Sequence, residues 1–232
     1  MKKLLFFTIV IFILSACNRA PIKFSVLGDS YSAFEGSIDP DSNDFWKGYP
    51  EIGVTAQEQM WWHQVADSAG WVLEKNNSFS GSLISNVNAS NYYGPHSFIR
   101  RMDNLGNPDV IFILGGANDV RFEVPFGDYV YSDWTEEQLC TFRPALAYMF
   151  DNMKRLYPKA KLYFLLETYP WRNRTDAETR LDLAESVHRI AYHYKVNCID
   201  LYDLHTRSMH PDAIGQKGIA DQVMDYILNE KR

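Results

Sequence analysis

The sequence is poor in most features that would mark it as anything but an ordinary folded chain. It has only 3 cysteines in 232 residues, too few for a scaffold built on disulfides. Its 13 glycines and 10 prolines follow no period, which excludes collagen-like sequence, and no internal repeat or low-complexity tract is present. Basic residues are outnumbered, 23 against 29 acids, for a formal charge of −6. No positive field is left to condense on phosphates, so no nucleic-acid partner is expected. The longest apolar run, Leu4 to Leu14, is interrupted only by Thr8. As a helix it covers about 17 Å, well short of a roughly 30 Å hydrocarbon core. What the chain has in quantity is aromatic residues, at 15%.

Met1-Lys2-Lys3 precedes the apolar run and Ser15-Ala16-Cys17 follows it. A basic start, a short apolar stretch and small residues before a cut describe a secretory signal peptide. Leu14-Ser15-Ala16-Cys17 resembles the lipobox of bacterial lipoproteins. That resemblance implies cleavage before Cys17, lipidation of Cys17, and an exported protein anchored through its N-terminal lipid to a bacterial membrane, on the periplasmic or cell-surface side. The expected organisation is therefore a signal peptide at 1–16, a lipidated tether at 17–22 and one domain at 23–232. Acyl chains hold by about 0.8 kcal/mol per buried CH₂, so several on one cysteine anchor firmly. Five further tether residues extend at most about 18 Å, which keeps the domain close to its membrane.

Short apolar runs then alternate with amphipathic stretches. Strands are predicted at Lys23–Leu27, Trp71–Lys75, Asp109–Leu114, Lys161–Leu166 and Asn197–Leu201. Helices are predicted at Gln57–Ala69, Thr135–Leu156, Asp176–Tyr194 and Pro211–Asn229, the last with proline near its first turn. Unbroken apolar strands separated by helices imply an α/β fold, a three-layer α/β/α sandwich around a five-stranded parallel sheet. Ligands of such sheets bind beyond the carboxyl ends of the strands.

Four short motifs sit where that rule places a site. Gly28-Asp29-Ser30 follows the first strand, Ser80-Gly81-Ser82 the second, Gly115-Gly116-Ala117-Asn118-Asp119 the third, and His210-Pro211 lies near the C-terminus. In order and position they resemble the SGNH (GDSL-type) hydrolases. The resemblance spans nearly all of the chain after the signal peptide. It implies a serine ester hydrolase of flavodoxin-like fold, with no cofactor or metal. Ser30 would be the nucleophile and His210 the base that takes its proton. The oxyanion hole would be formed by the Ser30 N–H, the Gly81 N–H and the Asn118 side chain. Ser32 is a rival nucleophile that lacks the preceding Gly-Asp turn.

One position departs from the pattern. The family places an aspartate three residues before the histidine, and here that residue is Arg207. Arginine cannot accept a hydrogen bond from imidazole. Asp203, which follows the last strand, is the first candidate to orient His210; Asp200 and Glu167 are further candidates. A main-chain carbonyl, or a Ser–His dyad with no third member, would serve as well. The spacing of His63, His188 and His193 suggests no zinc site, and His205 lacks the following proline. An exported location permits a Cys140–Cys198 disulfide, whereas a helix and a strand position suit two separate thiols.

Two long loops are rich in aromatic residues. Ser32 to Ala56 carries Phe45, Trp46 and Tyr49 among acids, and Asp119 to Trp134 carries Phe122, Phe126, Tyr129, Tyr131 and Trp134. Loops of this length tend to be functional, and both leave the strand ends. Aromatic faces among polar groups suit a sugar, with Trp46 the candidate substrate contact; the plain alternative is that these rings pin the loops to the domain. The family resemblance and the lipobox together point to removal of acetyl or another short acyl group from a carbohydrate. Alternatives are a lipase or thioesterase for longer chains, and a non-catalytic saccharide-binding lipoprotein of the same fold.

Overall fold

The computed structural model describes residues 20–34, 52–87, 96–168 and 176–230. Five strands form one parallel sheet in the order β2-β1-β3-β4-β5: β1 Lys23–Gly28, β2 Val72–Ser78, β3 Val110–Leu114, β4 Lys161–Glu167 and β5 Asn197–Leu201. Pleating explains the burial. β3 is apolar at all positions and buried at all of them, because alternate side chains enter two different cores. Ile111 and Ile113 join the side covered by α2 (Phe98–Arg101), α4 (Phe142–Leu156) and α5 (Ala177–Tyr194). Val110, Phe112 and Leu114 join the side covered by α1 (Trp61–Ala69) and α6 (Ala213–Glu230). The expected three-layer α/β/α architecture is the one found.

The register lines up the carboxyl ends. Gly28 lies opposite Ser78 on one side and Leu114 on the other. The chain leaves β1 for β2 on one flank and returns to β3 on the opposite flank. The carboxyl ends of β1 and β3 are therefore the topological switch point, where such sheets bind ligands.

The first helix begins at Trp61, not Gln57, after a separate 3-10 turn over Gln57–Gln59; three further boundaries differ from expectation, each for a physical reason. β2 runs on to Ser78 through Asn76 and Asn77, which are polar yet buried. Their amides are satisfied by main-chain carbonyls, Asn76 by Ser32 at 2.9 Å and Asn77 by Arg101 at 3.0 Å. The long helix starts at Phe142, not Thr135, because Pro144 lacks an N–H and fits only a first turn; Gln138–Cys140 forms a separate 3-10 turn. His210-Pro211 does not open the last helix. It forms a two-residue strand, β7, paired antiparallel with β6 (Thr206–Arg207), and Asp212 caps α6 by accepting from Ile214 and Gly215. Cys140 and Cys198 are both free thiols.

Candidate active site

Behind β1 the chain turns sharply. The Asp29 carbonyl accepts from Ser32 and Ala33, both at 3.1 Å, and the Asp29 carboxylate accepts the Tyr31 N–H at 3.0 Å. Gly28 is required by close approach. A Cβ there would stand 2.6 Å from that of Ser32 and 2.7 Å from the Ser78 hydroxyl. The turn leaves Ser30 partly exposed above the sheet. Its Oγ lies 3.1 Å from Nε2 of His210, across 180 residues of sequence. Ser32 points the other way and is buried. Its Oγ accepts the Trp61 indole N–H at 3.1 Å, and its carbonyl accepts that of Trp62 at 2.9 Å.

The Ser208 carbonyl lies 3.2 Å from Nδ1 of His210. A carbonyl only accepts, so Nδ1 carries the proton and Nε2 presents its lone pair to Ser30. This is the tautomer a general base needs. Asp203 does not take this place. It is exposed, and its carboxylate has no hydrogen-bond or ion-pair partner among the described residues. The reason lies in the hairpin. Arg207 and His210 are paired, and the two residues between them, Ser208 at φ 49° and Met209 at φ 72°, are both left-handed. This is the tight I′-type turn, which aims the Ser208 carbonyl back at the imidazole. The Tyr31 hydroxyl, one residue past Ser30, donates to the Met209 carbonyl at 2.8 Å and ties the hairpin down. The Tyr31 ring meets the His210 ring edge-on at 5.7 Å.

Neither the Ser30 N–H nor the Gly81 N–H has an acceptor among the described residues. Gly81 has φ +77°, a conformation that favours glycine. Asn118, on α3 (Ala117–Arg121), is buried and bridges two motif loops, donating to the Ser82 carbonyl at 3.1 Å and to the Asp29 carboxylate at 3.3 Å. To reach an oxyanion at Ser30, its amide would give up the longer bond, the one to Asp29.

Sequence reasoning assigned no role to three residues beneath this site. Asp119, the last residue of the third motif, accepts the N–H groups of Ile84 and Ser85 and the Ser85 hydroxyl, which shapes the loop after Gly81. Burial pushes its carboxyl above the usual range. Arg101, on α2 and 7% exposed, gathers the strand-end carbonyls. It donates to Gly28 at 3.1 Å, to the Ser82 hydroxyl at 3.0 Å, to His96 at 2.7 Å and to Asn77. Burial lowers its guanidinium to about 9, against the opposing pull of Asp29. Asp29 itself is pushed up to about 7, chiefly by burial, with its hydrogen bond to Tyr31 and the charge of Arg101 acting the other way. Asp29 and Asp119 stand within the sequence motifs, whereas Arg101 carries no local signal.

Glu167 ends β4 behind Tyr31. It is buried, and its Oε2 has no partner among the described residues. Burial first, then the nearby Asp29, raise it to about 8, while Tyr31 lowers it. Its neighbour is the tyrosine that holds the hairpin, and the partner of His210 Nδ1 is the Ser208 carbonyl. His205 lies 2.6 Å from Asp212, and Asp200 lies beside His188. Trp46, with the aromatics and acids of its loop, and Cys17 lie outside the described residues. In the second loop, Phe126, Tyr129, Tyr131 and Trp134 pack against the core formed with α4 and α5, so these rings pin the loop.

Residues 22–227 match the sequence profile described as GDSL-like lipase/acylhydrolase. Among solved structures, a GDSL-like lipase of Bacteroides ovatus is 40% identical, covers 91% of this chain and 100% of its own, and superposes with a TM-score of 0.82. A second, from Bacteroides uniformis, is 36% identical over 90% of this chain and 96% of that one, with a TM-score of 0.80. A family two carbohydrate esterase of Clostridium thermocellum shares the fold at 17% identity and a TM-score of 0.61, over 91% of this chain and 66% of its own. No protein of curated function matches the chain. The strand-end motifs, the Ser30–His210 contact and this kinship converge: the chain belongs to the GDSL-like lipase/acylhydrolase family and is a serine esterase of that type.

Proposed function

We propose that this esterase removes acetyl or another short acyl group from a carbohydrate, acting from a lipid anchor at Cys17. One observation carries the chemistry: a partly exposed Ser30 hydroxyl 3.1 Å from the accepting nitrogen of His210. In the proposed reaction His210 takes the proton as Ser30 Oγ attacks the ester carbonyl. The oxyanion is received by the N–H groups of Ser30 and Gly81, which have no acceptor among the described residues, and by Asn118. Collapse expels the sugar alcohol, which takes the proton from His210. Water then repeats the cycle on the acyl-enzyme, releasing the acid and restoring Ser30.

The Ser208 carbonyl holds the imidazole in its reactive tautomer and offers the imidazolium a dipole in place of a full negative charge. The carbohydrate side of the reading is supported by the shared fold of the Clostridium thermocellum carbohydrate esterase, whose structure is a complex with cellohexaose. The description of the two Bacteroides relatives as lipases favours the second reading, a preference for longer acyl chains.

A p-nitrophenyl acyl series separates the two. Acetate should be cleaved fastest, and Ser30→Ala and His210→Ala should each abolish turnover. A steady rise in kcat/KM with chain length would establish the lipase instead. Absence of turnover on every ester would refute the proposed chemistry.

A further inference from the structure

On the edge strand β5, Cys198 and Asp200 are two residues apart and so project from the same face of the sheet. That face lies under α5, whose His188 reaches down to them. Nε2 of His188 is 3.1 Å from Oδ1 of Asp200, and Sγ of Cys198 is 3.8 Å from the same oxygen. The three donor atoms all lie within 4.8 Å of one another. Sequence spacing offered His188 no third ligand, because the two partners are brought to it by strand pleating and helix packing.

We propose that His188, Cys198 and Asp200 form a binding site for one Zn²⁺ ion, with water completing a tetrahedron. Zinc bonds of about 2.0–2.3 Å at tetrahedral angles place neighbouring donors about 3.4–3.6 Å apart. The observed separations from Asp200 fall on either side of that value, so an ion enters with small side-chain shifts. A thiolate, a carboxylate and a neutral imidazole are a borderline-soft donor set, which suits zinc and not calcium or magnesium. Their two negative charges balance the ion, so the half-buried site is neutral when filled. The second oxygen of Asp200 accepts the Tyr202 hydroxyl at 3.0 Å, the outer-sphere support that fixes a ligating carboxylate.

Access comes from a shallow cleft lined by His188, Ala191, Tyr192, Val196 and Cys198. Arg189 lines the same cleft, but its guanidinium rests on the Tyr129 ring, 4.0 Å from the centroid. The site joins α5 to the sheet edge, so the bound ion should act as a clamp between them. It lies apart from Ser30 and His210, and its existence does not depend on the proposed substrate.

The test uses the full chain, with Zn²⁺ titrated against a chromophoric chelator and Co²⁺ as a spectroscopic probe. One equivalent of Zn²⁺ should bind at micromolar affinity or tighter, and Co²⁺ should give a thiolate-to-metal charge-transfer band. Cys198→Ser should abolish the band, and Cys140→Ser should leave it intact. His188→Ala, at a half-exposed helix position, should weaken Zn²⁺ binding by about 100-fold or more and remove the rise in Tm that Zn²⁺ confers on the parent protein. Absence of the band in the parent protein, its persistence in Cys198→Ser, or equal Zn²⁺ affinity in the parent and His188→Ala would overturn the proposal.

Discussion

Tyr31→Phe tests how the general base is held in place. Ser208 and Met209 both sit at positive φ, and a left-handed conformation costs a non-glycine residue about 1–2 kcal/mol. The turn therefore holds about 2–4 kcal/mol of strain. Opposing it are the pairing of Arg207 with His210 and the 2.8 Å hydrogen bond from Tyr31 to Met209. Such a bond contributes about 0.5–1.5 kcal/mol, so its loss lowers the ratio of poised to unpoised His210 by about 2- to 13-fold. Phenylalanine keeps the ring against His210 and removes only the hydroxyl. Steady-state hydrolysis of p-nitrophenyl acetate should show kcat falling by up to that factor with KM nearly unchanged, since the base is displaced and no substrate contact is lost. Met209→Gly removes a left-handed non-glycine residue and should restore most of the loss in the Tyr31→Phe background. An unchanged kcat in Tyr31→Phe, or a loss that Met209→Gly leaves untouched, would refute the latch.

Other substitutions probe the remaining parts. Asp203→Asn should change kcat by less than about tenfold, because a carbonyl occupies Nδ1; a loss near the roughly 10⁴ typical of a triad aspartate would reinstate an acid in that role. Asn118→Ala should lower kcat by about 10²–10³ while the fold persists by circular dichroism, and a retained rate would remove Asn118 from the oxyanion hole. Asp29 and Glu167 favour their protonated forms in the native state, at about 7 and about 8, against roughly 4 when unfolded. Over that window the unfolded chain has released protons that the native state keeps, so stability should fall as pH rises from about 4 to about 8. Glu167→Gln removes part of this slope and should raise Tm relative to the parent at pH 8 more than at pH 5. A melting profile with the same slope in both proteins would show that Glu167 is not buried as described.

The sheet and the first three motifs were legible because each of these motifs coincides with a change of period: an apolar strand stops, and a glycine or a capping residue follows. The order Ser30, Gly81, Asn118, His210 needed no tertiary information. The hairpin was not legible. A tight turn of this type is announced by Asn-Gly or Gly-Gly, and here Ser208-Met209 fills it, held from outside by Tyr31. Arg101 was hidden for a different reason, since a buried arginine is recognised only by the carbonyls that converge on it. The polar end of β2 read as loop because its burial depends on amides satisfied by other segments. His188, Cys198 and Asp200 likewise become neighbours only when α5 folds back on β5.

The buried serine beside the nucleophile has an optical consequence. Ser32 receives the indole N–H groups of both Trp61 and Trp62, and it closes the same turn that presents Ser30. An indole's excited state has a larger dipole than its ground state, so its emission responds to small movements of a hydrogen-bonded partner. Acylation of Ser30, or strain transmitted through residues 29 to 32, thus has a direct path to two fluorophores sealed from water. Tryptophan emission should therefore follow acylation without a label, through a hydrogen-bonded serine two residues from the reacting oxygen.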